Sequence, residues 1–131
     1  MKKILVTAIG SVAADCVIQQ LHKEKYSIVG TDIYPKEWVA NAYIVDSFYR
    51  VSTCAEEELY ITQIIEICKK EQISYIIPLT DTEVDFFNKK KLVFEKEKLV
   101  VCISDETTIN LCRNKNLLSR FLSKRKVCEV I

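Results

Sequence analysis

Five short apolar runs, KILVTAI, SIVGTDI, SFYRV, SYIIPL and LVVCIS, recur along the chain, and each is followed by helical spacing or turn residues. This alternation predicts a parallel sheet, because parallel neighbours need long crossovers and helices supply them. Near-continuous apolar strands are buried on both faces, and right-handed crossovers then place helices on each side. The expected fold class is α/β, with an open, doubly wound, three-layer α/β/α arrangement of about five parallel strands.

The helices are signalled independently. Ala14, Val17, Ile18 and Leu21 fall at i, i+3, i+4 and i+7, and Ile61, Ile64, Ile65 and Cys68 repeat that spacing. Thr53 with Glu56 reads as a capping box before the second of these helices, and Thr80 with Glu83 as another before EVDFFNKKKLVF. Ser104 and Asp105 are placed to cap a short helix reaching Cys112, and Asn114 to cap a last one over LLSRFLSK. The mixed charges of KKKLVFEKEK read as a solvated helix end and turn.

Composition narrows the function classes. The 131 residues match one domain, residues 1–131, and the near balance of charge, formally +1, gives no reason to expect a nucleic-acid partner. MKKILVTAI is read as a first strand, since no longer apolar region or small-residue cleavage site follows it. No stretch has the length and apolarity of a membrane span, so the expectation is a soluble, cytoplasmic protein. The six cysteines contain no CxxC pair and no zinc-ligand spacing, and Cys68 and Cys102 read as small core residues. His22, the sole histidine, lies at a polar helix end and reads as an ordinary exposed side chain.

The loop after the first run, VTAIGSVAAD, sits where a dinucleotide-binding protein keeps its glycines. Set against VTGAGGxxG, Ala8, Ser11 and Ala14 replace three glycines and Gly10 alone remains. Small residues preserve tight packing of strand against helix, while positive φ and close approach of a phosphate become harder. Asp32, about 20 residues on, ends the second run where an acidic side chain would take a ribose hydroxyl. No tyrosine has a lysine four residues later, so the pattern of short-chain hydride chemistry is missing.

In order and spacing, KILVTAIGSVAADCVIQQL, GTDIYP, IIPLTDTEV and CRNKNLLSRFLSK resemble the N-terminal, pre-ATP-grasp domain of ATP-grasp ligases, most nearly those similar to the carbamoyl phosphate synthase large subunit. The resemblance covers nearly the whole chain and implies a Rossmann-like domain preceding two subdomains that clamp ATP. It also implies a parent enzyme that uses ATP and magnesium to activate a carboxylate for attack by an amine. Lys115 matches a family lysine that contacts the nucleotide, although Asn114 stands where many relatives have aspartate. Gly10, Ser11, Asp32, Thr80 and Asp81 are the substrate-side candidates, with Asp81 the one member of the PLTDTE segment not explained by helix capping.

The resemblance further implies that the terminal VCEVI begins the next subdomain, so that the chain stops before the ATP-grasp machinery. On that reading it is inactive alone and keeps neither ATP nor magnesium. Its partners are the ATP-grasp domain of the same polypeptide and a small carboxylate or amine substrate, and a homodimer is allowed. Two other readings stay open: a stand-alone Rossmann-like module for NAD(P) or another nucleotide, and a non-catalytic interaction domain.

Overall fold

A computed structural model describes residues 2–125. VCEVI, with Cys128, lies outside the described residues. Five strands, β1 (Lys3–Val6), β2 (Ser27–Asp32), β3 (Ser47–Arg50), β4 (Tyr75–Ile77) and β5 (Val100–Val101), form one sheet in the order β3-β2-β1-β4-β5. Every neighbouring pair is parallel. The expected open α/β sheet is therefore present, with each apolar run contributing one strand.

The period of two along the strands divides the core into two layers. Leu5 and Val29 face a cluster with Tyr60 and Ile64 of α2 (Glu57–Glu71) and Phe87 and Phe94 of α3 (Asp81–Lys96). Ile4, Val6 and Ile28 face the opposite cluster, which holds Ala14 and Ile18 of α1 (Ala14–Lys23). That second layer is completed by Val39 and Ala42 from two 3-10 turns, Lys36–Trp38 and Ala40–Tyr43, which connect β2 to β3 in place of a full helix. Among the described residues no helix is long and apolar enough to cross a membrane.

Three of the four expected caps form. Thr80 Oγ1 accepts from the Glu83 N–H at 3.4 Å, Asp105 Oδ1 from Thr108 at 3.0 Å, and Asn114 Oδ1 from Asn116 and Leu117 at 3.1 Å each. The last two open α4 (Glu106–Arg113) and α5 (Lys115–Lys124). The Thr53–Glu56 box does not form: α2 starts one residue after Glu56, which has no side-chain cap, and the two residues meet only through a backbone turn. The turn between them consumes the spacing that a cap would need.

Cys68 is buried as expected, with its thiol pushed up to about 12 by loss of solvent. Cys102 is not a core residue: it is exposed. Val101 points into the α3 side, so alternation sends Val100 and Cys102 to the other face, where Val100 and Tyr75 are also exposed. β5 is an edge strand of two residues, too short and too far out to be buried on both faces.

The loop after β1 turns through Ala8, which has φ 51°, a left-handed conformation that glycine takes without strain. Gly10 itself has no positive φ. The expected result of Ala8→Gly is a gain of about 0.5–1 kcal/mol in unfolding free energy, as relief of the Cβ clash outweighs the added freedom of the unfolded chain. Urea denaturation of the two proteins measures it.

Candidate functional site

In an open parallel sheet the strands end together, and a crevice opens where their order reverses. Here the reversal lies between β1 and β4, because β1, β2 and β3 run outward on one side and β4 and β5 on the other. A cleft of about 450 Å3 occupies this place. Its walls come from the segments following β1 (Ala8, Gly10, Ser11), β2 (Asp32, Tyr34), β3 (Ser52, Cys54) and β4 (Thr80, Thr82, Glu83), with Tyr60 of α2.

Of the substrate-side candidates, Gly10, Ser11, Asp32 and Thr80 share this wall. Asp81 lies apart from it, is largely exposed and pairs with Arg113 at 2.6 Å, so it is engaged by α4 rather than unclaimed. Lys115 is exposed in the first turn of α5. His22 is partly exposed, 3.9 Å from Asp46.

Asp32 is 6% exposed, and its two carboxylate oxygens are already committed to the backbone. Oδ2 accepts from the Gly10 N–H at 2.7 Å and Oδ1 from the Tyr34 N–H at 3.1 Å. A Cβ added at Gly10 would come within 2.9 Å of Asp32 Oδ2. The bare glycine therefore admits the domain's own carboxylate, in the position where a dinucleotide site admits a pyrophosphate. The two parts of the dinucleotide fingerprint are bonded to each other.

Glu83 is the residue that sequence reasoning missed. The capping pattern accounts for its N–H, but its carboxylate turns inward. Oε1 accepts from Tyr60 Oη at 2.7 Å, and Oε2 from Thr7 Oγ1 at 2.8 Å and Thr80 Oγ1 at 3.2 Å. Burial pushes its carboxyl above the ordinary range, the three hydroxyl donors pull it back, and the charge of Asp32 raises it further. Loss of solvent, with Glu83 beside it, in turn drives the Tyr60 phenol up. The only signal in the sequence was an acidic residue in the first turn of a helix after a parallel strand, a position that usually serves the helix dipole.

Two hydroxyls in the wall, Ser11 Oγ and Ser52 Oγ, are buried and have no hydrogen-bond partner among the described residues. Buried polar atoms are rarely left so, and with almost no accessible surface these two hydroxyls would meet a ligand only after the wall shifts. Among the described residues no lysine, arginine or histidine lines the cleft; Arg50 belongs to an adjoining groove with Trp38 and Gln63. Cys54 is half-buried in the wall, its thiol raised by burial and then by Glu83, which argues against a thiolate nucleophile.

A parallel sheet with helices on both faces and a ligand crevice at its switch point defines a Rossmann-like α/β domain. The sequence profile of the family described as PylC-like, N-terminal domain, matches residues 4–103, and the chain belongs to that family. No curated protein sequence matches it significantly.

Among solved structures, the biotin carboxylase domain of a single-chain bacterial carboxylase aligns with 100% of this chain at TM-score 0.66 and 18% identity. The biotin carboxylase domain of Hydrogenobacter thermophilus 2-oxoglutarate carboxylase, solved as a dimer with MgADP, ADP and bicarbonate, aligns with 94% at TM-score 0.68 and 17% identity. N5-carboxyaminoimidazole ribonucleotide synthetase from Thermotoga maritima aligns with 95% at TM-score 0.60 and 14% identity. The chain spans 30%, 27% and 31% of these three, respectively. At such identities the likeness is one of fold, and it is the fold of the pre-ATP-grasp domain expected from the sequence.

Proposed function

We propose that this domain is the first lobe of an ATP-dependent carboxylate–amine ligase, of the kind that includes enzymes resembling the carbamoyl phosphate synthase large subunit. In this reading the crevice supplies substrate-side surface, Lys115 supplies part of the nucleotide site, and the ATP-grasp domain joined to it supplies the rest. The observation that carries it is the cleft at the switch point, with the orphaned Ser11 and Ser52 hydroxyls in its wall. Family membership and the carboxylase folds support the ligase class.

The residues present fit the cofactors unequally. Lys115 stands exposed in the first turn of α5, and because Asn114 already caps the Asn116 and Leu117 N–H groups, the lysine cation rather than the helix backbone would meet phosphate. Magnesium would need oxygen ligands clustered at one point, and no group of three or more metal-ligating side chains occurs among the described residues. ATP and magnesium accordingly belong to the joined enzyme, where magnesium would neutralise developing phosphate charge. In this chain, Ser11, Ser52, Asp32 and Glu83 orient the substrate, and Lys115 holds phosphate charge.

The rival reading, a dinucleotide module, is weakened by the Gly10–Asp32 hydrogen bond. It would have to break before the Gly10 N–H met a pyrophosphate, and the Asp32 charge would oppose that group. Two measurements test the proposal. NAD and NADP are expected to leave the melting temperature unchanged, since only a ligand of the folded state raises it. Fused to the ATP-grasp segment of a PylC-like relative, the chain is expected to form ADP when carboxylate and amine are both supplied, whereas alone it forms none. A dinucleotide-dependent rise in melting temperature, with a folded but inactive fusion, would overturn the reading.

A further inference from the structure

Beside the crevice lies a second, open groove of about 790 Å3, which shares Ile33, Tyr34 and Ser52 with it. Its walls come from the segments leaving β2 and β3, and the carboxyl ends of parallel strands are where open sheets take ligands. Trp38 stands in this wall 76% exposed, although tryptophan is highly buried on average. The backbone that presents it is anchored at both ends. The Tyr34 N–H is tied to Asp32, the Trp38 N–H donates to the Pro35 carbonyl at 3.0 Å, and Val39 is buried in the core. Tyr34 and Trp38 form a shelf on that segment, their ring centroids 6.1 Å apart and their planes 31° from parallel. Arg50 Nε donates to the Ile33 carbonyl at 3.0 Å, which orients the guanidinium, and among the described residues its two terminal nitrogens meet no acceptor. Gln63 Oε1 accepts from the Ser52 N–H at 2.8 Å, which leaves Nε2 as a donor.

We propose that this groove binds an aromatic carboxylate, its ring on the Tyr34–Trp38 shelf and its anionic end against the Arg50 guanidinium and Gln63 Nε2. The terminal nitrogens of a guanidinium offer paired N–H donors that match the two oxygens of a carboxylate. Exposed aromatic faces take a flat ring in offset or tilted contact, beyond the gain from covering apolar surface. A phosphate dianion fits less well, because the one cation of the groove shares its wall with Glu56. An aromatic amine would place its charge beside the guanidinium. The site stands whether or not the ligase reading holds. Where that reading holds, the groove receives the non-reacting end of a substrate, since it lies to one side of the switch point.

Trp38 is the sole tryptophan, so fluorescence excited at the red edge, where tyrosine does not absorb, reports on this groove alone. The experiment titrates the whole chain with 3-phenylpropionate, phenethylammonium and propionate at matched ionic strength. Phenylpropionate is expected to shift the Trp38 emission to the blue along a saturating curve and to protect it from acrylamide quenching. Phenethylammonium, which has the ring without the anion, and propionate, which has the anion without the ring, are expected to do neither. Arg50→Gln should weaken phenylpropionate binding about tenfold, the value of a lost charge-assisted pair, and Tyr34→Ala should weaken it through loss of the shelf. Circular dichroism establishes that each variant is folded, and if one is not, the other carries the comparison.

An unmoved emission, an equal response to phenethylammonium or to propionate, or undiminished binding in the folded variants would each overturn the proposal. So would an emission that moves with protein concentration alone, which would make this face a contact between two copies of the chain. None of these measurements contains a nucleotide, so their failure is separable from failure of the ligase reading. ADP formation by the fusion without phenylpropionate binding here would remove only the groove site.

Discussion

Replacing Phe87 by alanine is expected to lower the unfolding free energy by about 3–5 kcal/mol, the range for truncating a buried aromatic ring. Phe87 is fully buried and touches three other rings: Tyr60 at 6.1 Å between centroids, Phe86 at 5.5 Å and Phe94 at 4.9 Å. The loss combines burial of the ring, its edge-to-face contacts and the void left between α2 and α3. For a domain of this size the melting temperature should fall by about 10–20 °C, a large part of a typical margin. Thermal and urea denaturation with coincident fluorescence and circular dichroism check it. A loss below about 1 kcal/mol would mean that α3 does not pack on the sheet as described.

Tyr60→Phe should cost about 1.5–3 kcal/mol at neutral pH, the range for a hydrogen bond to a charged acceptor. Its dependence on pH carries the information. Glu83 has a folded-state pKa above its ordinary value, so its contribution is fully present below that value and is lost as pH rises through the folded pKa. The Tyr60 hydroxyl opposes this rise by stabilising the ionised carboxylate. Removing it raises the folded pKa further, and the penalty of Tyr60→Phe grows from mildly acidic to neutral pH. Urea midpoints of wild type and variant at pH values below and above the carboxyl titration give the sign. A penalty that shrinks with rising pH would show that the bond is made to a protonated carboxyl.

The fold was legible because its evidence is repeated. Each strand is an apolar run, and the spacings starting at Ala14 and at Ile61 both place one face of a helix on the sheet. Caps at Thr80, Asp105 and Asn114 were readable because their side chains act within three residues of themselves. Where local reading failed, a competing local or distant partner decided the outcome. Thr53 and Glu56 have the spacing of a box but form a turn before the helix starts. Cys102 sits in an apolar run, yet edge position and alternation expose it.

The crevice was half legible. Gly10, Ser11, Asp32 and Thr80 follow from where the strands end, but no spacing announces that Asp32 folds back onto Gly10. Glu83 was hidden by the adequacy of its cap: once Thr80 explained it, nothing in the sequence pointed to Thr7, 76 residues away, or to Tyr60. Contacts between distant segments of chain exist only after the sheet has assembled, and they define the floor of this site.

That floor has a mechanical consequence. A single carboxylate anchors the end of β1, the first turn of α2 and the start of its own helix, so its fluctuations cannot stay local. Whatever settles against it should slow hydrogen exchange along α2 and α3 together, and the lobe would register occupancy as a stiffening of one whole layer.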